Sequence, residues 1–136
     1  MRVFLGGTCN ESDWRERLIP MLAIDYFNPV VDDWTPECQA EELRQREDCD
    51  FCLYCITPRM TGVYSIAEAV DDSNKRPERT IFCFLDFDRP GVLFSDGQIR
   101  SLRAVGAMIT RNGGQAFESL EDCARWLRPA DSGEQS

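Results

Sequence analysis

Short apolar runs alternate along the chain with stretches of helical periodicity. Val3-Phe4-Leu5, ended by Gly6-Gly7, predicts a first strand. Trp14, Leu18 and Leu22 recur at helical spacing and predict a helix capped by Asn10 or Ser12, bent or shortened by Pro20. Tyr26 to Val31 predicts a second strand, broken by Pro29 and closed by Asp32-Asp33-Trp34. Thr35-Pro36 has the form of an N-cap followed by proline at the first helical position, opening a helix to about Glu47. Phe51 to Ile56 is almost continuously apolar, as in a strand covered on both faces. A loop over 57–62 leads to a helix from Ser65 to about Asp72, and Thr80 to Leu85 predicts a fourth strand. After a loop over 86–93, Ser95-Asp96-Gly97-Gln98 fits a capping box that opens a helix to about Val105. Ala107-Met108-Ile109 reads as a short fifth strand, and Ser119 caps a last helix with Leu120, Cys123, Ala124 and Leu127 on one face.

This alternation implies an α/β fold: a five-stranded parallel sheet with helices on both faces, a three-layer sandwich. The expected strand order is 2-1-3-4-5, the flavodoxin-like arrangement, which places a ligand crevice beyond the carboxyl ends of strands 1 and 3. The unusual loop residues fall at that edge. They are Gly6, Gly7, Thr8 and Asn10 after strand 1, Asp32, Asp33 and Trp34 after strand 2, and Arg59, Met60, Gly62, Tyr64 and Ser65 after strand 3.

The chain has 136 residues, and one domain over 1–128 with a flexible tail over 129–136 is expected. With 15 Lys+Arg against 24 Asp+Glu the net charge is −9, which argues against nucleic-acid polymers and anionic membranes as partners. Histidine is absent, which removes Ser-His-Asp hydrolases and His-ligated zinc enzymes. No signal peptide or membrane-length apolar run is seen, so a cytoplasmic protein with reduced thiols is expected.

Two cysteine patterns stand out in the sequence. Cys49, Cys52 and Cys55 have iron–sulfur spacing, but Arg59 stands where a fourth ligand would fall, and the segment reads as a buried strand. Cys9 and Arg15 have the spacing of a phosphatase loop, yet Glu11 and Asp13 would repel a phosphate. Neither metal nor cofactor is expected.

Glu68 is the carboxylate nearest the crevice. Ser65-Ile66-Ala67-Glu68 fits a capping box, with Glu68 reaching back to its own helix; the competing reading aims the carboxylate into a pocket, ionised by the helix N-terminus. Three blocks, Val3 to Asn10, Tyr26 to Trp34 and Ile56 to Ala69, make the chain similar to the nucleoside 2-deoxyribosyltransferase-like family. The resemblance implies a flavodoxin-like fold, cleavage or transfer at the N-glycosidic bond of a nucleoside or nucleotide, and a homo-oligomer. It also implies that Glu68 is the nucleophile, with a covalent deoxyribosyl-enzyme as intermediate. Asp33, Asp32 or Glu42, the last with Glu41 as neighbour, would protonate the leaving base. Trp34 and Tyr64 would stack on it, and Gly6, Gly7 and Thr8 would let the backbone approach the sugar. A non-catalytic nucleotide-binding module of the same fold is the alternative. A receiver domain is disfavoured by Thr57 at the end of strand 3, where it would need an aspartate.

Overall fold

The apolar runs become the central strands. The computed structural model describes residues 1–9, 12–31, 35–88 and 91–129. In chain order it contains β1 (Arg2–Gly7), α1 (Trp14–Leu18), β2 (Asp25–Phe27), α2 (Pro36–Asp48), β3 (Phe51–Ile56) and α3 (Tyr64–Lys75). There follow β4 (Thr80–Phe84), β5 (Phe87–Asp88), β6 (Val92–Leu93), α4 (Asp96–Arg111), β7 (Gln115–Phe117) and α5 (Leu120–Trp126). Five strands form one sheet in the order β2-β1-β3-β4-β7, every pairing parallel, while β5 and β6 make a small antiparallel hairpin of their own. This is the expected three-layer α/β sandwich, with β7 as the fifth strand of the order.

Period-two alternation sorts the strand side chains to two faces. Val3, Leu5, Leu53, Cys55, Ile81 and Cys83 pack with Trp14 and Leu18 of α1 and with Leu120, Cys123 and Ala124 of α5. Phe4, Cys52, Tyr54, Ile56, Phe82 and Phe84 pack with Ala69 of α3 and with Leu102 and Ile109 of α4. The same alternation separates the C-x2-C-x2-C thiols. Cys49 and Cys52 belong to one core and Cys55 to the other, so the three sulfurs do not converge on a single ion. Burial pushes the thiols of Cys49 and Cys52 up, to about 11 and about 12.

Four elements differ from the sequence reading. The first helix stops at Leu18 and continues only as a 3-10 turn over Ile19–Met21, because Pro20 supplies no N–H; Asp13, with no side-chain cap bond, precedes it. β2 ends at Phe27, two residues before Pro29 and short of the expected Val31. Ala107, Met108 and Ile109 are helical, not a strand. They continue α4, whose buried residues Leu102, Gly106 and Ile109 keep helical spacing, and the fifth strand is Gln115–Phe117. Finally, α3 starts at Tyr64 with Val63 at its N-cap and no side-chain cap bond, so the predicted Ser65–Glu68 capping box does not form. The caps at Thr35, Ser95 and Ser119 form as expected, with the full capping box at Ser95.

The turn after β1 is held from two sides. Gly7 has φ +119°, and a Cβ there would lie 2.0 Å from the Cys55 carbonyl oxygen, so only glycine fits. Below it Arg15, 3% exposed, donates from Nε to the Leu5 carbonyl (3.0 Å), from Nη1 to that of Thr8 (2.7 Å) and from Nη2 to that of Gly7 (3.4 Å). The Thr8 N–H is committed to the Cys55 carbonyl at 2.9 Å. The carbonyls of Leu5, Gly7 and Thr8 thus turn inward to Arg15, whose Nη2 also lies 3.8 Å from Cys9 Sγ.

Candidate functional site

The carboxyl ends of β1 and β3 meet the start of α3 at the point where the strand order reverses. A crevice of about 190 Å³ opens there, lined by Gly7, Thr8, Cys9, Ile56, Met60, Thr61, Gly62, Tyr64 and Ser65. Its two loops are tied together. The Thr57 N–H donates to Thr8 Oγ1 (3.0 Å), Thr57 Oγ1 contacts Ser12 Oγ (3.2 Å), and Ser12 donates to the buried Asp88 carboxylate (2.6 Å).

A second hollow, about 110 Å³, lies between α2 and α3 and is lined by Phe4, Gln39, Glu42, Leu43, Arg46, Tyr64 and Glu68. Tyr64, 73% exposed, lines both hollows. The smaller one has room for a single ring; together they approach the lower end of ordinary ligand pockets, ~300 Å³.

Glu68 is the fifth residue of α3, and its side chain, 18% exposed, faces the smaller hollow. Burial raises its pKa above the ordinary glutamate value; Arg46 opposes this, while Glu42 and Asp72 add to it. The helix dipole acts mainly within the first turn, so the ionising influence at Glu68 is the guanidinium rather than the helix N-terminus. Burial likewise raises the Glu42 carboxyl, against the pull of Arg15.

Arg46 reaches Glu68 from a rigid seat. Its Nε donates to Tyr54 Oη (2.9 Å), its Nη2 to Asp72 Oδ1 (2.8 Å), and its Nη1 stands 3.6 Å from Glu68 Oε2. Tyr54 in turn donates to Asp72 Oδ2 at 2.5 Å, and Arg76 Nη2 donates to Asp72 Oδ1 at 3.0 Å. Asp72 is fully buried and is met by both arginines and by the Tyr54 hydroxyl. This network is also what fastens α2, which has no buried residue of its own.

The structure therefore brings together Glu68, Glu42 and Tyr64 at one hollow, and Gly7, Thr8, Met60, Gly62, Tyr64 and Ser65 at the other. Gly6 and Arg59 line neither hollow. The space beside Gly6 is taken by the Tyr54 ring, which would lie 2.8 Å from a Cβ there. Glu41 is turned away from the hollow, toward Arg44 and Gln45. Asn10, Asp32, Asp33 and Trp34 lie outside the described residues, as does the tail from residue 130. Sequence reasoning missed Arg46, Tyr54 and Asp72. Helical spacing could have found two of them: Arg46 follows Glu42 by four residues, and Asp72 follows Glu68 by four.

A family model described as nucleoside 2-deoxyribosyltransferase like matches residues 1–87. The chain belongs to this nucleoside 2-deoxyribosyltransferase-like family. The matched stretch contains every residue lining the two hollows, whereas α4, β7 and α5 lie beyond it. No curated protein and no solved structure matches the chain. No helix among the described residues is long and apolar enough to cross a membrane.

Proposed function

We propose that the protein breaks the N-glycosidic bond of a nucleoside or nucleotide, 2-deoxyribose being the sugar implied by its family, with Glu68 as nucleophile. A Glu68 carboxylate oxygen attacks the anomeric carbon, the bond from that carbon to the base nitrogen breaks, and its electron pair leaves with the base. The covalent glycosyl-enzyme then passes the sugar to water in hydrolysis or to a second base in transfer. Glu42, whose carboxyl is raised by burial, is the described group able to hold a proton for the departing base; Asp33 and Asp32 are candidates for the same role from the sequence. Tyr64, lining both hollows, offers its ring to the nucleobase. A homo-oligomer is the assembly implied by the family resemblance.

The observation that carries this reading is the Glu68 carboxylate turned into a ring-sized hollow beside the switch-point crevice. The test is incubation with a panel of nucleosides and their monophosphates, with and without a free acceptor base. Free base without acceptor identifies a hydrolase, a swapped nucleoside a transferase. Neither product anywhere in the panel leaves the non-catalytic binding module.

A further inference from the structure

We propose that Arg46 is a positioning residue for Glu68: seated by Tyr54 and Asp72, its guanidinium holds the Glu68 carboxylate ionised and aimed into the hollow. This rests on the nucleophile role proposed above. The guanidinium is immobilised by bonds to Tyr54 Oη and Asp72 Oδ1 and, more weakly, from Nε to Asp72 Oδ2 at 3.4 Å and from Nη2 to the Glu68 carbonyl and to Asp71 Oδ2, each at 3.5 Å. A planar fork fixed at two nitrogens has no freedom left at the third. That third nitrogen, Nη1, stands 3.6 Å from Glu68 Oε2, beyond hydrogen-bond reach but close for two opposite charges. The carboxylate gains a counter-charge without giving up a lone pair, which remains available for attack. A bidentate salt bridge would stabilise the anion more and blunt it as a nucleophile.

The charges around Glu68 show why an arginine is required. From α2 come Glu42 and Arg46, from α3 Asp71 and Asp72, and from β3 the Tyr54 phenol held on Asp72; Phe4 of β1 brings none. Asp72 is answered by Arg76 as well as Arg46, and Asp71 by Lys75 at 3.1 Å. Without Arg46, Glu68 would face Glu42 in a half-buried hollow, where two carboxylates cannot both ionise cheaply and one keeps its proton. The nucleophile would then keep its proton to higher pH than with Arg46 in place. Because Arg46 also ties α2 to β3 and α3, one side chain acts on both the placement of that helix and the charge of Glu68.

The test compares wild type, R46M and R46K in kcat/KM against pH, on the substrate found in the panel above. In R46M the acidic limb is expected to move up by about one to two units, and R46K is expected to restore most of it. An acidic limb that stays in place in folded R46M overturns the proposal. The Glu68 carboxyl is also read directly by carbon-13 NMR without substrate, its resonance assigned with E68Q. An upward displacement of that titration in R46M supports the proposal even where no substrate is turned over, in which case the nucleophile reading alone fails; coincident titrations overturn it. Should R46M not fold, Y54F serves in its place, since it loosens the seat while keeping every charged side chain. A smaller displacement in the same direction is expected, and none contradicts the proposal.

Discussion

Arg15 and Arg46 are both largely withdrawn from solvent and do opposite things. Arg15, under β1, donates to three main-chain carbonyls and stacks on the Trp14 ring, its guanidinium carbon 4.4 Å from the ring centroid. Arg46, on α2, bonds a phenol and a carboxylate and stands near a second carboxylate. Burial lowers the pKa of Arg15, and the weak charges around it do not make this up. Burial pulls Arg46 down too, but Tyr54 and Asp72 outweigh it and the pKa ends above the ordinary arginine value. Carbonyl dipoles satisfy donors without balancing a charge, whereas a carboxylate does both. The first arginine shapes a loop. The second sits in a circuit of titratable groups, so a change there is felt as a change in ionisation.

That contrast can be broken first in stability. R15M leaves the carbonyls of Leu5, Gly7 and Thr8 without their charged donor in a buried turn. A loss of about 3 kcal/mol or more is expected, seen as a lower midpoint in urea. R46M is expected to cost about 2 kcal/mol or less, because Arg76 and Tyr54 still satisfy Asp72. An order of stability with R46M below R15M would refute the assignment of the two roles.

A second experiment sharpens the charge side. Glu68 has a raised pKa in the folded chain, so the folded state binds that proton more tightly than the unfolded state does. Stability from this group is therefore present below the ordinary glutamate range, falls as pH rises through the folded-state value, and stays lower above it. E68Q carries no such loss. Its melting temperature is expected to exceed that of wild type at mildly alkaline pH, with the gap closing in acid. Gln at a position that merely stabilised the fold through its charge would melt lower at alkaline pH. The smallest effect concerns Glu42. If it holds the proton for the base, E42Q loses the alkaline fall of kcat/KM while its acidic limb moves slightly down, since one repelling carboxylate beside Glu68 is gone.

Much of the architecture was legible because it rests on local chemistry. The buried strands β1, β3 and β4 read as apolar runs, and Thr35-Pro36 and Ser95 read as caps. The errors come where one periodicity imitates another. Ala107-Met108-Ile109 has the apolar density of a strand, but it continues the buried stripe of α4 set by Leu102 and Gly106. The true edge strand, Gln115-Ala116-Phe117, is half-buried and too short to stand out. At the site, Glu68 and Glu42 could be picked out because carboxylates near a switch point invite a chemical reading. Arg46 was harder to see: its spacing from Glu42 puts both on one helix face, but on a helix as polar as α2 one more arginine looks like solvated surface, and its buried partners Tyr54 and Asp72 come from two other elements. Ser65 misled for a related reason. A serine three residues before a glutamate is a cap only if the helix starts just after it, and here the first turn begins one residue earlier, at Tyr64.

The nucleophilic role proposed for Glu68 is tested most directly by acid-quenching the wild-type protein incubated with a deoxynucleoside and mapping any sugar adduct by peptide mass spectrometry. The account predicts a deoxyribosyl group esterified to Glu68 and no adduct in E68Q. An adduct on Glu42 or any other side chain, or one that forms as readily in E68Q, would contradict it.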